Sequence, residues 1–491
     1  MARLRINHKE VEVANGATLL DAAHAAGVEI PTLCWLKETG ALTSCMICVV
    51  RERSTGRLLP ACAARAADGM DIDTDCEKVQ EARREVLRML LDEHVGDCEA
   101  PCSRICPAGL NIPRMLRHIQ KNETEAAARR AKLDLVFPAT LGHVCTAPCE
   151  RVCRRGQYDT TIAIRESHRD ASVPFLTKDF GQDARRMATG LSVGIVGAGL
   201  AGMAAAWTCA LDGHACRIYE KRGNAGAKLR ALPAETLPPS VLDAETETVR
   251  ALGVEFVFNS EVGAEPSLTA LLEEHDAVIV ACDLSFAPHA KIFTAKEEAM
   301  HVRAVGSGKR AAREVSAFLT DQPMPGTEKC FNSSIGRLHP AELAAYAVER
   351  RNDVGQAPSP VDPGAAVLHE ASRCLHCDCA KPVSCKLRRY AEQYGLGPQI
   401  TRVMERAPVA AVRTADGVLF EPGKCIKCGI CVEIVRASGL DAGIAFAGRG
   451  LESRLEVPFG ASLAKGLGGV AGRCVEACPT AALSFKDGEE T

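Results

Sequence analysis

Cysteine is the residue type through which this chain could do chemistry: there are 24 in 491 residues, and they fall in bunches. Between His94 and Cys153, two triplets stand out: Cys98, Cys102 and Cys106, spaced four apart, and Cys145, Cys149 and Cys153, spaced likewise. Pro107 follows the first triplet. Cys34, Cys45, Cys48 and Cys62 form a C-x10-C-x2-C-x13-C set, and Cys374, Cys377, Cys379 and Cys385 lie within twelve residues. Cys425, Cys428 and Cys431 make a C-x2-C-x2-C run, with Cys474 and Cys478-Pro479 far downstream. Thiolates at these spacings converge from short, turning backbone, as iron–sulfur clusters require. Tetrahedral zinc is the other use of four such ligands, and spacing alone leaves it open for Cys374–Cys385. The six central cysteines do not fill two cubane clusters, so other residues must complete them.

Composition narrows the function classes. A net charge of −3 and 4% aromatic residues offer neither a basic patch nor a stacking surface for nucleic acid. There is no apolar run long enough to span a bilayer and no signal or twin-arginine leader. The cysteine spacings suit metal rather than a secreted disulfide framework. A cytoplasmic, oxygen-sensitive, metal-rich protein is expected.

The elements that must position these ligands can be read in order. Arg3–His8 and Glu10–Val13 alternate as a hairpin, and Thr18 caps a helix over Leu19–Ala26 that ends at Gly27. The stretches GATLLDAAHAAGVEIPTLC, SCMICVV and LLPACA resemble the 2Fe–2S ferredoxin domain at the front of the large iron–sulfur subunit of respiratory complex I, and of related hydrogenases and formate dehydrogenases. The resemblance implies Cys34, Cys45, Cys48 and Cys62 as ligands. Cys76 lies outside that set.

A helix over Glu77–Leu91 leads to His94 and Cys98. CSRICPAGLNIPRML and LGHVCTAPCERVCRRG resemble the amino-terminal cluster domain of the glutamate synthase small subunit and of dihydropyrimidine dehydrogenase, which holds two 4Fe–4S clusters. The family's first cysteine of the first run is missing, and His94 is its natural replacement. The resemblance implies one cluster on His94, Cys98, Cys102 and Cys153. It implies a second on Cys106, Cys145 and Cys149, with a fourth ligand at or near His168. Imidazole in place of thiolate raises a cluster's potential. The plain alternatives are a helix-end histidine at 94 and a solvated one at 168.

After a polar linker, Asp179–Thr189, comes an apolar strand, Leu191–Val196, then Gly197-Ala198-Gly199-Leu200-Ala201-Gly202, a helix over Met203–Leu211, and a strand, Ala215–Tyr219, that ends in Glu220. Strand, glycine turn, helix, strand, acid is a dinucleotide-binding order: the turn admits a pyrophosphate, the helix N-terminus stabilises it, and the acid takes a ribose. AGAKLRALP, HDAVIVACD and MHVRAVGSGKRAAREVSAFL resemble the FAD domain of the same glutamate synthase family. This implies FAD contacts at Gly197, Gly199, Gly202, Glu220, Lys228, Leu229 and Gly308. The family's inserted NADPH domain has no counterpart between Asp283 and Ala299, and TAKEE replaces its Gly-Asp. A flavin-free scaffold is the alternative. Cys209, Cys216, Cys282 and Cys330 are expected as core thiols.

Thr320–Ala366 reads as linker with one helical piece near Ala341–Arg350. HEASRCLHCDCAKPVSCKLR then offers a 4Fe–4S or zinc site on Cys374, Cys377, Cys379 and Cys385. FEPGKCIKCGICV and GRCVEACPTAAL resemble a two-cluster bacterial ferredoxin domain of which one cluster survives, on Cys425, Cys428, Cys431 and Cys478. Val435 stands where the first run's fourth cysteine belongs, and Cys474 is left over.

The expected fold class is multidomain α+β and α/β. A β-grasp 2Fe–2S ferredoxin spans 1–76, and a helical domain with two 4Fe–4S clusters spans 77–180. A truncated Rossmann-type FAD domain lacking the NADPH insert spans 181–322. A linker with the Cys-rich motif covers 323–400, and a bacterial-ferredoxin-like domain with one 4Fe–4S cluster covers 401–491. With a 2Fe–2S cluster, three to four 4Fe–4S clusters and FAD, but no nucleophile–base pair, the expected role is an electron-transfer subunit. It would relay electrons between a catalytic oxidoreductase subunit and an NAD(P)H- or ferredoxin-handling partner, without nucleic acid or a membrane span. The alternatives are a stand-alone NAD(P)H-dependent oxidoreductase and a zinc-binding scaffold.

Overall fold

Alternation builds the first strand: in the computed structural model, Ala2, Leu4 and Ile6 are buried while Arg3 and Arg5 face solvent. The strand turns through Asn7 and His8, both with positive φ, into its antiparallel partner Lys9–Val13. The structure describes residues 1–263, 266–324, 331–350, 363–397, 399–400, 409–414, 417–440 and 443–485. Cys330 lies outside them. The chain divides into two units, each discontinuous in sequence. One comprises Met1–Glu99, Glu328–Arg350 and Asp378–Thr491; the other comprises Ala100–Thr327 and Arg351–Cys377.

In the first unit the opening hairpin joins a mixed sheet whose order is Lys9–Val13, Ala2–Ile6, Asp71–Asp73, Val49–Glu52, Leu58–Pro60. Ala2–Ile6 pairs in parallel with Asp71–Asp73, and the other pairings are antiparallel. Thr18 and Asp21 form a reciprocal capping box on the helix Leu19–Ala25, which buries Leu19, Leu20, Ala22 and Ala23. The helix Glu77–Asp92 buries Val79, Arg83, Leu87 and Leu91, one residue per turn. Arg83 donates to Val49 O at 2.8 Å and to the Tyr394 hydroxyl at 3.0 Å, so it ties this helix to the sheet and to the end of the helix Lys386–Gln393. Near the C-terminal end, Val412–Arg413, Val418–Phe420 and Leu483–Phe485 form an antiparallel sheet beside the helices Ile430–Ala437 and Ala471–Ala477.

The second unit opens with short helices, Pro101–Ile105 to Ile164–Ser172, that carry the remaining central cysteines. A five-stranded sheet follows, parallel throughout, in the order Glu255–Phe258, Ala215–Glu220, Ser192–Val196, Ala277–Val280, Ile292–Thr294. Connections leave Ser192–Val196 in both directions, which makes its C-terminal end the topological switch point, where ligands enter such sheets. The helices Leu200–Leu211 and His301–Leu319 pack closely. A Cβ on Gly308 would stand 2.1 Å from Ala201 O, and one on Gly202 1.9 Å from Gly197 O.

The boundary between the two compact units falls between Glu99 and Ala100, inside the block expected to carry two clusters. The stretch expected as linker carries a further helix, Pro363–Ser372, in the second unit. It is pinned there by Gln120 Nε2 donating to Ala371 O at 2.7 Å and by Arg155 Nη1 donating to Arg373 O at 3.1 Å. Among the described residues no helix is long and apolar enough to cross a membrane.

Candidate functional site

The cysteines at the amino-terminal end meet as a group. Cys34, Cys45, Cys48 and Cys62 are all buried. Cys48 Sγ stands 3.3 Å from Cys62 Sγ, and Cys45 N donates to Cys34 Sγ at 3.5 Å. Sharing a proton with Cys45 pulls the Cys34 thiol down to about 5 and pushes Cys45 up. Cys48 and Cys62 divide in the same sense. Four close, mutually coupled thiols fit a 2Fe–2S core.

Cys425, Cys428, Cys431 and Cys478 line one small cavity, closed by apolar Phe420, Ile430 and Leu483. Burial raises the first two thiols, to about 11 and about 12, and also raises Cys431, with Cys428 and Cys478 adding like charge. In a dry site thiolates need a cation, so loss of their protons is coupled to metal binding. Cys474 is fully buried, its Sγ 3.8 Å from Cys431 O.

The central cysteines sort by unit. Cys98 packs into the first unit's core with Cys385. Its sulfur accepts from Ser333 N at 3.4 Å, and its carbonyl from Cys379 N at 3.2 Å. Burial lifts the Cys98 thiol to about 11, and Cys379 is the thiol whose charge adds to that. His94 is buried, and that burial, with Lys424 beside it, lowers the imidazole to about 4. It is therefore neutral at physiological pH, the form that ligates. Lys424 also acts on Cys98 and Cys379.

In the second unit, Cys374 lies in the core, and Cys102, Cys106 and Cys153 pack against it. Burial raises Cys102 most, followed by the charges of Cys374, Cys377, Cys153 and Cys149 in that order. Cys106 acts on both Cys145 and Cys149, and together these three make a partial site. His168 is buried on the helix Ile164–Ser172, which packs on the helix preceding Cys145. Its Nδ1 bonds Pro138 O at 2.9 Å, which leaves Nε2 as the ring's remaining nitrogen. Within the first unit the structure brings Cys98 together with Cys379 and Cys385, and within the second it brings Cys102 together with Cys374. The resemblance implied a set on His94, Cys98, Cys102 and Cys153, and its members belong to different compact units, as do those of the Cys374–Cys385 run. Among the described residues no three His, Cys, Asp or Glu side chains converge to hold a single metal ion.

The Rossmann-like domain has a cavity of about 310 Å³ at the switch point, lined by Gly197, Gly199, Glu220, Lys228, Leu229 and Glu297 among others. Glu220 accepts from Ala198 N at 2.8 Å and from Arg222 N at 2.9 Å, which holds it at the edge of the glycine turn. Gly202 and Gly308 do not line the cavity, and they serve the close packing described above. Cys282, expected in the core, is exposed at the cavity mouth because it follows the end of the strand Ala277–Val280.

Glu297 is the residue sequence reasoning did not single out. It belongs to TAKEE, whose departure from Gly-Asp was the available signal. Its Oε2 accepts from Ala201 N at 2.9 Å, at the N-terminus of the helix Leu200–Leu211. That is where a pyrophosphate would bind. The ribose end of the cavity fits a dinucleotide as it stands, and the phosphate end fits once Glu297 withdraws.

Three family models match parts of the chain. A 2Fe-2S iron-sulfur cluster binding domain matches residues 1–77. A dihydropyrimidine dehydrogenase domain II, 4Fe-4S cluster, matches 73–175, and an NAD(P)-binding Rossmann-like domain matches 195–245. The NADP(+)-dependent formate dehydrogenase subunit beta of Moorella thermoacetica is 32% identical over 208 residues, 38% of this chain and 29% of that protein. The NADPH-Fe(3+) oxidoreductase subunit beta of Geobacter sulfurreducens is 28% identical over 244 residues, 49% of this chain and 35% of that protein. The NAD-dependent dihydropyrimidine dehydrogenase subunit PreT of Salmonella typhimurium is 33% identical over 231 residues, 45% of this chain and 54% of that protein. The chain thus spans between 29% and 54% of these relatives' own lengths. It carries a 2Fe–2S domain, a 4Fe–4S domain and a Rossmann-like dinucleotide-binding domain.

Proposed function

We propose that the chain is an electron-relay subunit of a larger cytoplasmic oxidoreductase complex. It would pass electrons between a catalytic subunit and a partner that handles NAD(P)H or ferredoxin. The observation that carries this reading is the succession of thiol sites within the first unit. Ser44, beside Cys45, donates its hydroxyl to Cys428 O at 3.1 Å, and the charge of Cys34 acts on Cys428. Lys381, two residues after Cys379, donates to Cys478 O at 3.1 Å, and the charge of Cys478 acts on Cys385. The 2Fe–2S site, the terminal site and the thiols around Cys379 are therefore neighbours in series.

FAD is the cofactor proposed for the Rossmann-like domain, with Glu220 at its ribose and the Gly197–Gly202 turn at its phosphates. A bound flavin would supply exchange between one-electron and two-electron carriers. The protein's part is to hold the turn open, exclude water and keep Glu220 oriented through Ala198 N and Arg222 N. A second reading, a stand-alone NAD(P)H oxidoreductase, is favoured by the NAD(P)-binding match over residues 195–245.

An anaerobic titration separates the two. NADH, NADPH and dithionite are added in turn while visible absorbance is followed. The relay reading expects bleaching by dithionite alone and release of flavin on denaturation. Prompt bleaching by NADH or NADPH overturns it in favour of the second reading.

A further inference from the structure

The run Cys374, Cys377, Cys379 and Cys385 reads in sequence as one four-ligand site. The fold divides it. Cys374 and Cys377 belong to the second unit, and Cys379 and Cys385 to the first. We propose that the run supplies half of each of two 4Fe–4S sites: Cys374 and Cys377 with Cys102 and Cys153, and Cys379 and Cys385 with Cys98 and His94. The inference rests on the iron–sulfur reading above and deepens it by naming the ligand sets.

Geometry within each unit carries the assignment. In the second unit, the end of the helix Pro363–Ser372 is pinned beside Cys153. Arg155 Nη1 donates to Arg373 O at 3.1 Å, and Arg373 Nη2 donates to Thr160 O at 2.7 Å. Ala163 N donates to Glu370 Oε2 at 2.8 Å, and His376 bonds Gln120 through its Nε2 at 3.0 Å. These bonds hold both flanks of Cys374 against the turn that follows Cys153, the loop ahead of the helix Ile164–Ser172 and the end of the helix Ile112–Gln120. The helix Pro101–Ile105, which bears Cys102, packs on the helix Pro148–Arg151, two residues ahead of Cys153.

In the first unit, Cys379 N donates to Cys98 O at 3.2 Å, and Cys98 N donates to Ser333 O at 3.1 Å. Arg388 bridges Glu99 at 2.7 Å through Nη2, while its own N donates to Cys385 Sγ at 3.5 Å. Val95 N donates to Gly423 O at 2.6 Å, which brings His94 to Lys424, the cation that also faces Cys98 and Cys379. Each set then has four soft or imidazole donors, the number a cubane takes. Four thiolates, 221 to 291 positions downstream of the central ligands they join, are thus supplied by the Cys374–Cys385 run, which makes no separate site.

The test is a set of four serine variants of the full chain, purified anaerobically: Cys98→Ser, Cys102→Ser, Cys374→Ser and Cys385→Ser. Iron, sulfide and zinc are counted, and each cluster is followed by low-temperature electron paramagnetic resonance. The 2Fe–2S signal of the amino-terminal domain reports folding. The proposal expects Cys102→Ser and Cys374→Ser to alter one and the same 4Fe–4S signal, with Cys98→Ser and Cys385→Ser altering a different one. Loss of a cluster removes about four iron atoms per chain. It is overturned if Cys374→Ser and Cys385→Ser affect a single shared centre, or if either removes zinc and leaves iron unchanged. Should a variant lose the 2Fe–2S signal, the wild-type chain is stripped with chelator and oxidised mildly, and its disulfides are mapped by mass spectrometry. Pairs joining Cys102 or Cys153 to Cys374 or Cys377 support the assignment, and a Cys374–Cys385 pair overturns it. A wild-type chain without iron would refute the relay reading itself. Iron grouped otherwise refutes this assignment alone.

Discussion

Glu297 sets up the sharpest perturbation. Its carboxylate accepts from Ala201 N at the helix N-terminus, 2.9 Å away, and a Cβ on Gly199 would stand 2.4 Å from Oε2. A dinucleotide must displace it to reach the same amides. Releasing a hydrogen bond to a charged acceptor costs about 1.5–3 kcal/mol, and about 1.4 kcal/mol is tenfold in affinity. The wild-type chain should therefore bind FAD and ADP-ribose roughly 10- to 100-fold more weakly than Glu297→Ala. Glu297→Gln should lie between, because it keeps the shape and loses the charge. Burial raises the Glu297 carboxyl above its usual range. Protonation removes the competing charge, so wild-type affinity should rise as pH falls through that raised value, while the Gln variant stays flat. Equilibrium dialysis of the anaerobic, cluster-loaded protein against FAD and against ADP-ribose, at several pH values, measures both effects. Affinities within twofold across all three proteins, with equal pH slopes, would refute the competition argument.

Two further expectations concern His94 and Lys132. His94→Cys should keep the iron content and lower one cluster's midpoint potential, since thiolate replaces imidazole; a redox titration followed by paramagnetic resonance reads this, and unchanged potentials count against ligation. Lys132 is buried, with Nζ 4.9 Å from the Trp207 ring and the charges of Glu245 and Asp179 acting on it. Burial lowers it to about 8, whereas the unfolded chain holds the proton to about 10.4. The unfolded state then binds more protons between those values, so stability should rise with pH across that window and fall as pH drops through about 8. Lys132→Met should flatten the slope in denaturant titrations, and an unchanged slope assigns it elsewhere.

Much of the chemistry was legible locally. Ligands within C-x2-C or C-x3-C come from one turn of backbone, so spacing alone marks Cys45 and Cys48, or Cys425, Cys428 and Cys431, as a group. The strand, glycine turn, helix and Glu220 were equally plain, because the pyrophosphate-binding motif is built within one short βαβ unit. The capping box at Thr18 and Asp21 and the hairpin at Asn7–His8 are decided by neighbours in the chain.

Residues distant in sequence were decided otherwise. Cys374 and Cys102 stand 272 positions apart, and their association follows from Gln120, Arg155 and Glu370 anchoring one helix end. Glu297 reaches Ala201 N because the strand Ile292–Thr294 pairs beside Ala277–Val280, which carries TAKEE to the switch point. The sequence by itself determined which residue types are present and which lie within one turn of each other, since short backbone leaves little choice. Only the tertiary structure decided which distant runs share a site and what stands at the helix N-terminus. Those follow from how two discontinuous units bury their apolar surface, a property of the whole fold that no local spacing encodes.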